Sequence, residues 1–372
     1  MPRIYLDYNA STPIALEVAE AMAPFLRDHF GNPSSLHWAG VPAKEAIEKA
    51  RQQVAALINC SPAEIVFTSG GSEANNYALK GIYFKNKTRG NHIITTQIEH
   101  PAVINPCRWL ESLGAEVSYL PVDKYGLVDP DQVRRAITSR TILISIMHAN
   151  NETGSLQPIG EIGQIACDHD VTFHTDAAQS VGKVPLDVKE LKVDLLSIAG
   201  HKLYAPKGIG ALYISQGGQL EPLVHGAGHE SGRRAGTENV LLIVGLGKAC
   251  EISLSWIKNP AILGLRDYFW SQLKENLAGR VILNGHPQLR LPNTLNVSFP
   301  GLVGAEILGQ LEGVAASTGS ACHAGSIELS PVLKAMGVEP FSGMGAVRFS
   351  LGRYTTREEI DYVIGRLRGI IV

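Results

Sequence analysis

The sequence predicts an α/β protein in which helices cover a largely parallel β-sheet, joined to a smaller α+β unit. Three observations support this prediction. The chain has 372 residues, 45% of them hydrophobic and 18% charged, which is enough for two domains with a sizeable core. Before Lys258, short apolar runs alternate with helical patterns. After Pro260 this alternation weakens, and helices and strands follow one another in an order typical of an α+β unit.

Each element is predicted from its apolar spacing and its boundary residues. Helices with proline or a capping residue in the first turn are expected at residues 16–29, 42–58, 73–85, 101–113, 159–169 and 357–371. Short runs that are apolar on consecutive positions are typical of strands buried on both faces of a parallel sheet. These strands are expected at residues 64–68, 92–96, 117–120, 141–147, 171–173, 194–198, 210–214, 294–299 and 346–350.

Composition excludes several classes of partner. The formal net charge of −2 provides no basic face for nucleic acid or for a membrane surface. The sequence has no apolar run of membrane-spanning length and no signal-peptide core at its start. The five cysteines form no CxxC pair and no Cys/His set with zinc spacing, so we expect no metal site. This odd number of cysteines without a signal peptide predicts free thiols in a reducing cytoplasm.

The most informative stretch runs from His174-Thr-Asp-Ala-Ala-Gln179 to Gly200-His-Lys202. Asp176 closes one short strand and Lys202 follows another, so both would lie at strand C-terminal ends, where open α/β sheets bind ligands. Pyridoxal phosphate (PLP) needs such a pair, because the lysine binds its aldehyde and the acid keeps the pyridine nitrogen protonated. On these two residues alone, a strand-end turn followed by a surface lysine is the more common arrangement.

A glycine-rich turn follows the first strand of the series, at Thr68-Ser-Gly-Gly-Ser-Glu73. Glycines after a strand and serine at a helix start leave backbone N–H groups free to bind an anion such as the PLP phosphate. Many helix starts have this composition and bind nothing. The turn therefore supports the PLP interpretation without establishing it.

Motifs along almost the whole chain together resemble those of the cysteine desulfurases, the NifS-like group of PLP enzymes in the class V aminotransferase superfamily. The resemblance is carried by Tyr5-Leu-Asp-Tyr-Asn-Ala-Ser-Thr-Pro13, Phe30-Gly-Asn-Pro-Ser-Ser35, Phe67-Thr-Ser-Gly-Gly-Ser-Glu73, Glu99-His100, His148-Ala-Asn-Asn-Glu-Thr-Gly154, His174-Thr-Asp-Ala-Ala-Gln179, Gly200-His-Lys202, Arg233-Arg-Ala-Gly-Thr-Glu-Asn239, Ser317-Thr-Gly-Ser-Ala-Cys322 and Val347-Arg-Phe-Ser-Leu-Gly-Arg353. It implies the PLP-dependent transferase fold type I, with a mainly parallel seven-stranded sheet. We expect residues 15–257 to form the large domain, and residues 1–14 and 258–372 the small domain that carries a catalytic cysteine loop.

The resemblance gives five positions a role around the PLP ring. Lys202 would hold the cofactor and move protons at the substrate carbon, which suits a partly desolvated lysine. Asp176 would pair with the pyridine nitrogen, and Gln179 would donate to the ring hydroxyl. His100 would stack on the ring and act as an acid or base, although a histidine in this setting is otherwise typical of a helix start. Asn151 would contact cofactor and substrate.

The resemblance also implies a phosphate site, a substrate clamp and a dimer. Gly71, Ser72 and His201 would bind the PLP phosphate, and Thr237 would reach that phosphate from a second subunit, so the enzyme would be a homodimer. Arg348 would bind the substrate carboxylate through two parallel hydrogen bonds. Without the family, Arg348 would be interpreted as a strand-edge arginine in an ordinary ion pair.

Cys322 decides which reaction the resemblance implies. It lies in a stretch of small residues, a setting typical of an exposed loop. The inferred catalytic residues are Cys322, Lys202 and His100: L-cysteine would become L-alanine, and Cys322 would take the sulfur as a persulfide. The sulfur would pass to an acceptor protein of unknown identity that supplies iron–sulfur clusters, thio-cofactors or thionucleotides. The remaining cysteines are predicted to be small core residues: Cys60, Cys107, Cys167 and Cys250.

Three departures from the family keep alternatives open. Ala199 stands where many relatives have a phosphate-binding serine, and Cys322-His323 resembles the selenocysteine lyases, so selenocysteine is an alternative substrate. The chain ends at Val372, without the extension by which housekeeping desulfurases dock an iron–sulfur scaffold. A scaffold partner of that type is therefore not expected, and a dedicated acceptor or a specialised pathway is the alternative. The alternative outside enzymology is a catalytically silent scaffold or redox sensor that retains the fold. Lys202, Asp176 and Cys322 together argue against that alternative.

Overall fold

The computed structural model describes residues 3–318, 322–323 and 326–371. The strands are β1 (Ile4–Tyr5), β2 (Ile65–Thr68), β3 (His92–Thr96), β4 (Glu116–Leu120), β5 (Thr141–Ser145), β6 (Thr172–Asp176), β7 (Leu195–Ala199), β8 (Gly210–Ile214), β9 (Ile282–Asn284), β10 (Thr294–Ser298), β11 (Val314–Ala315), β12 (Cys322–His323), β13 (Ser326–Ile327) and β14 (Ala346–Ser350). The helices are α1 (Leu16–Met22), α2 (Pro24–Arg27), α3 (Val41–Ile58), α4 (Gly71–Lys85), α5 (Pro101–Glu111), α6 (Pro130–Ala136), α7 (Ile159–Asp168), α8 (Val240–Trp256), α9 (Ala261–Asn276), α10 (Gly304–Gln310), α11 (Pro331–Ala335), α12 (Pro340–Gly343) and α13 (Arg357–Ile371).

The central sheet has seven strands in the order β2-β8-β7-β6-β5-β3-β4. Strands β7, β6, β5, β3 and β4 run parallel to one another. Strand β8 runs antiparallel to both β2 and β7. The predicted α/β fold with a mainly parallel seven-stranded sheet is therefore confirmed.

Helices cover both faces of this sheet, because successive side chains in each strand point to opposite faces. Ile94 and Leu196 pack with α1, α3, α7 and α8 on one face. Their neighbours Ile93 and Leu195 pack with α4 and α5 on the other. Buried on both faces, these strands have the continuous apolar runs that the sequence pattern predicts.

A second, smaller sheet is antiparallel, with the order β14-β10-β9. It packs with α9, α10 and α13 around a separate apolar cluster that includes Phe269, Phe299 and Phe349. The start of the chain joins this cluster through Ile4 and Leu6. The division into residues 15–257 and residues 1–14 with 258–372 stays a prediction.

One predicted helix is wrong in its extent. The helix expected at residues 16–29 is instead two helices, with α1 ending at Met22 and α2 beginning at Pro24. Proline has no backbone N–H to continue the helical hydrogen bonds, so the first helix ends just before it. The strand expected at residues 141–147 ends at Ser145, where the chain turns toward the site described below.

Three further observations concern membranes, metal ions and the cysteines. Among the described residues, no single helix has both the length and the apolar character to cross a membrane, although α8 and α9 taken together, bent by 69° at their break, have both. In the same part of the chain, no group of three or more His, Cys, Asp or Glu side chains is arranged to hold a metal ion. The four cysteines whose side chains are described are free thiols: Cys60, Cys107, Cys167 and Cys250. Cys107 and Cys250 are buried as predicted and Cys60 is half-buried, but Cys167 is exposed near the end of α7, so its predicted place in the core is wrong.

Candidate active site

A cavity of about 550 Å³ opens at the C-terminal edge of the central sheet. It lies where the chain leaves β6 and β7 and where α4 and α5 begin, the region in which open α/β sheets bind ligands. The predicted site residues that line it are Gly71, Ser72, His100, Asn151, Asp176, Gln179, His201, Lys202 and Arg348.

The two residues on which the sequence prediction depended lie at the ends of neighbouring strands. Asp176 is the last residue of β6, and Lys202 ends the short 3₁₀ turn that follows β7. Since β6 and β7 are parallel neighbours, their C-terminal ends meet at the same edge of the sheet. An acid and a primary amine therefore face one cavity.

Lys202 is held by backbone oxygens rather than by a carboxylate. Its Nζ donates to the carbonyl oxygen of Asn9 and, at 2.9 Å, to that of Ala10. Burial and the positive charge of Arg348 lower the pKa of Lys202 to about 8, despite the opposing charges of Asp7 and Asp176. A substantial share of the side chain is therefore the neutral amine near physiological pH, which is the form that attacks a carbonyl carbon.

Asp176 is fixed by two donors. Nδ2 of Asn75 donates to its Oδ2 at 2.6 Å, and the backbone N–H of Ala178 donates to its Oδ1 at 2.9 Å. The carboxylate is thereby held in one orientation at the cavity wall. Asn75 lies in the first turns of α4, and nothing in the sequence distinguished it from other polar helix residues.

The N-terminus of α4 forms part of the cavity wall. Its N-cap, Gly70, has a φ of 150°, a conformation that glycine adopts readily. The first N–H groups of a helix have no acceptor within the helix, so this end can bind an anion. A Cβ atom on Gly71 would lie 3.1 Å from the Cβ of Ala199, so these two small residues keep the wall open. Ser72 and His201 line the same region.

His100 is the N-cap of α5. Its Nδ1 accepts a hydrogen bond from the backbone N–H of Ala102 at 3.1 Å. Burial lowers the pKa of His100, with the charge of Asp176 opposing this shift and that of Lys202 adding to it. The ring is thus neutral near pH 7, and because Nδ1 is an acceptor, the proton is on Nε2.

Arg348 lies in β14, on the side of the cavity formed by the smaller sheet. Its Nη2 donates to Oδ1 of Asp7 at 2.8 Å, and its Nη1 donates to the backbone oxygen of Asn151 at 2.8 Å. Its Nε is buried without a hydrogen-bond partner among the described residues. The guanidinium is therefore held rigidly while it retains unused donors. Asp7 belongs to a motif quoted above, but the sequence assigned it no role.

Asn9 connects Lys202 with a second lysine, Lys183, and both are half-buried. Its backbone oxygen accepts hydrogen bonds from Lys202 and, at 3.0 Å, from Nε2 of Gln179. Its Oδ1 accepts from Nζ of Lys183 at 3.0 Å. Gln179 also accepts from Lys183 through its Oε1, at 3.0 Å. Neither Asn9 nor Lys183 was singled out from the sequence.

Thr237 lies apart from this cavity within its own chain. It is exposed and lines a neighbouring cavity of about 250 Å³, which shares Ser69 and Gly208 with the first. The segment before Thr237 is fixed to the large domain by a buried ion pair, in which Arg51 donates to Glu230 at 2.8 and 2.9 Å. A single chain thus does not bring Thr237 to the other predicted residues, and its contribution to a second subunit stays a prediction.

Cys322 lies in a segment whose two described ends are anchored beside the cavity. Its backbone forms β12, paired with β13, and its side chain lies outside the described part of the structure. Before it, Ser317 and Arg348 exchange backbone hydrogen bonds at 2.6 and 3.1 Å. After it, Oγ of Ser330 donates to Oε2 of Glu152 at 2.5 Å. Covalent geometry limits the Cα distance from Ser317 to Cys322 to about 18 Å.

Comparison with known proteins identifies the family to which this fold and cavity belong. A sequence model of the family described as "Aminotransferase class-V" matches residues 4–363. The "Cysteine desulfurase IscS" of Dictyoglomus turgidum is 50% identical over 99% of this chain and 94% of its own. The chain belongs to the class-V aminotransferase family and, within it, to the cysteine desulfurases.

Solved structures agree with this assignment. A structure described as "NIFS-LIKE PROTEIN" superposes with a TM-score of 0.93 at 38% identity, covering 99% of each chain. One described as "SspA in complex with cysteine" superposes with a TM-score of 0.83 at 40% identity, covering 95% of this chain and 100% of the other. The predicted family and the NifS-like PLP fold type I are therefore confirmed.

Proposed function

We propose that this protein is a PLP-dependent cysteine desulfurase that converts L-cysteine to L-alanine and carries the sulfur as a persulfide on Cys322. The observation that carries the proposal is the meeting of Lys202, Asp176 and Arg348 in one cavity, at the N-terminus of α4. Lys202 suits the aldehyde of PLP, Asp176 suits its pyridine nitrogen, and Arg348 suits the carboxylate of the substrate. Membership of the cysteine desulfurase family supports the same reaction.

The residues of the cavity fit PLP. The free N–H groups of α4, with Ser72 and His201, suit the phosphate. Asp176, held by Asn75, suits a protonated pyridine nitrogen, and Lys202 is an amine with a lowered pKa for the aldehyde carbon. When bound, PLP supplies a conjugated ring that withdraws electrons from the substrate carbon.

Lys202 and His100 would transfer protons to and from the substrate. Lys202, an amine whose pKa burial lowers to about 8 in the free cavity, would take the proton from the substrate carbon. His100 would stack over the ring with its Nε2 proton available, since its Nδ1 is already engaged by Ala102. Gln179 would donate to the ring hydroxyl, and Asn151 would contact cofactor and substrate.

Arg348 would bind the substrate carboxylate. Its guanidinium lines the cavity, keeps unused donors and is held by Asp7 and the backbone of Asn151. A guanidinium can form two parallel, charge-assisted hydrogen bonds with a carboxylate. This clamp would orient cysteine so that its thiol lies toward the segment that begins beside Arg348.

Cys322 would complete the reaction as the nucleophile. Its thiolate attacks the sulfur of bound cysteine, the carbon–sulfur bond breaks, and the bonding electrons remain on the carbon. After protonation the carbon skeleton leaves as L-alanine, and Cys322 carries the extra sulfur. Because Ser317 hydrogen-bonds to the backbone of Arg348, the chain leading to Cys322 starts at the substrate clamp.

The persulfide would pass to a protein acceptor for iron–sulfur clusters, thio-cofactors or thionucleotides, in a reducing cytoplasm where thiols such as Cys107 and Cys250 stay free. The working form would be a homodimer in which Thr237 contacts the PLP phosphate of the partner subunit. Exposed apolar residues in one stretch near the N-terminus support a partner surface: Leu26, Phe30, Leu36 and Trp38 are 70–90% exposed.

The direct test is alanine formation from L-cysteine by PLP-loaded protein. We expect one alanine for each sulfide released in the presence of a thiol reductant, and no turnover by Lys202→Ala. Lys44→Ala, an exposed lysine on α3, is the matched control and should retain turnover. Faster release of selenide from selenocysteine than of sulfide from cysteine would favour a selenocysteine lyase. A protein that binds no PLP and forms no alanine would be a silent scaffold or redox sensor.

A further inference from the structure

A second cavity, of about 420 Å³, shares Lys202 with the site described above. Six basic side chains line it, whereas no aspartate or glutamate is found among the described residues of its wall. We call it the basic cavity. Its basic residues are Lys183, Lys202, Lys258, Arg266, Arg290 and Arg353.

Part of this wall carries uncompensated positive charge. Arg266 forms an ion pair with Asp267 at 2.6 Å. Burial, with the charges of Lys202 and Arg348, lowers the pKa of Lys183 well below its usual 10.5. Lys202 would hold the cofactor in the PLP-loaded protein. The remaining cations, Lys258, Arg290 and Arg353, form no ion pair among the described residues, and Arg353 donates to the neutral Oγ of Ser253 at 3.1 Å. These three side chains concentrate positive potential between low-dielectric walls.

Arg290 is the residue that points to a ligand. Its side chain lines the cavity and the residue is only 5% exposed. Its Nε and Nη1 are shielded from solvent and have no hydrogen-bond partner in the part of the chain that the structure describes. Burial, with the nearby charge of Arg266, lowers the pKa of Arg290 to about 10, against the opposing charge of Asp267. A buried charge without a partner reduces the free energy of unfolding, so native proteins rarely keep one unless it serves a purpose.

We propose that the basic cavity binds a phosphate-bearing small molecule. Phosphate oxygens form strong, charge-assisted hydrogen bonds with guanidinium and ammonium groups, and several such groups face this space. One wall carries Tyr204, Trp256 and Leu263, which suit the organic part of a nucleoside phosphate. The volume is typical of a small-molecule site.

This site is separate from the PLP phosphate site and goes beyond the proposed function. The N-terminus of α4, Ser72 and His201 do not line the basic cavity, and Arg290 does not line the first one. Asn9 stands between the two, since it accepts hydrogen bonds from both Lys183 and Lys202. A ligand bound beside Lys183 would therefore be one hydrogen-bonded residue away from the reactive amine.

Calorimetric titration of PLP-saturated protein at fixed ionic strength tests the proposal, because PLP occupies its own phosphate site and salt screening is constant. The probes are pyrophosphate, adenosine monophosphate and adenosine. We expect saturable binding of the two phosphate compounds and none of adenosine. Arg290→Gln and the exposed Lys258→Gln should each weaken binding by about tenfold or more. Lys44→Gln, outside the cavity, and Ser72→Ala, in the first cavity, should leave binding unchanged.

Thermal unfolding gives a second readout that keeps the proposal testable if one variant folds poorly. Without phosphate compounds, Arg290→Gln should raise the melting temperature, because it removes a buried, unpaired charge. With adenosine monophosphate, the parent protein should gain stability and Arg290→Gln should not. The proposal would be overturned if neither phosphate compound bound below about 1 mM. It would equally be overturned if binding were lost in Ser72→Ala but not in Arg290→Gln, or if adenosine bound as tightly as adenosine monophosphate.

Discussion

Nη2 of Arg348 lies 2.8 Å from Oδ1 of Asp7, so the last strand of the smaller sheet and the start of the chain meet in one ion pair at the cavity. The side chain of Arg348 is 7% exposed and that of Asp7 is 20% exposed. A shielded pair of this kind fixes orientation more than an exposed pair does. Asp7 therefore determines the direction in which Arg348 presents its remaining donors.

Replacement of Asp7 by asparagine tests this relationship. Asn can still accept a hydrogen bond but cannot hold the guanidinium by charge, so we expect KM for L-cysteine to rise by about tenfold. The kcat should change much less, because the reacting atoms are not touched. Steady-state alanine formation provides both constants. Asp28→Asn, which alters an exposed ion pair with Arg27, is the control and should change neither. A fall in kcat with unchanged KM would contradict this role for Asp7.

Capture of PLP by the apoprotein should depend on pH through Lys202. The neutral amine attacks the aldehyde, and the pKa of Lys202 is lowered to about 8. The rate of covalent capture should therefore rise with pH and level off above about 8. Stopped-flow absorbance measures this rate. An ordinary exposed lysine would give a rate that still rises near pH 10, and such a profile would show that burial does not activate Lys202.

Glu99 should make the protein less stable as the pH rises. Burial raises the pKa of Glu99 from an ordinary value of 4.5 to about 8, with the charge of Asp176 adding to the shift. Between these values the folded protein keeps a proton that the unfolded chain releases, so the free energy of unfolding falls with increasing pH, by at most about 1.4 kcal/mol per pH unit. Glu99→Gln cannot ionise and should show a shallower decrease.

Glutamine is a suitable replacement for Glu99 in this test. Oε1 of Glu99 accepts hydrogen bonds from Thr96 at 2.7 Å and from Met147 at 3.0 Å. The amide oxygen of a glutamine at this position can accept both. Chemical denaturation at a series of pH values gives the slopes. Glu161→Gln, an exposed residue on α7, is the control and should retain the parent slope. Equal slopes for the parent and Glu99→Gln would mean that Glu99 is already ionised in the folded protein.

Much of the central sheet and two of the site residues were predictable from local sequence. The apolar runs of β3 and β8 and the helix α13 have the predicted bounds, because burial on both faces or a regular apolar stripe leaves a strong local signal. Asp176 and Lys202 were found for the same reason, since strand ends can be located from the runs that precede them.

The remaining site residues depend on contacts between distant parts of the chain. Asn9 bonds to Lys202 and Lys183, and Asp7 bonds to Arg348, across separations of more than 170 residues. No spacing rule connects such positions. Arg290 was missed because an unpaired buried charge can be recognised only once its surroundings are known.

Trp38 should belong to the dimer surface. It is 82% exposed, so its replacement removes little packing within its own chain. We expect Trp38→Glu to shift the protein from dimer toward monomer in sedimentation velocity and to weaken PLP retention, since Thr237 would no longer reach the partner site. Leu113→Glu, at a half-exposed apolar position that follows α5, is the control and should remain dimeric. An unchanged dimer in Trp38→Glu would remove this residue from the interface.

Mass spectrometry of the PLP-loaded protein after one exposure to L-cysteine without a reductant shows directly whether Cys322 receives the sulfur. We expect one additional sulfur atom on the peptide that contains Cys322, and none on the peptides that contain Cys60, Cys107, Cys167 or Cys250. Cys322→Ala should carry no additional sulfur and should lose alanine formation. Alanine formed at the parent rate by Cys322→Ala, or additional sulfur on another cysteine alone, would contradict the account.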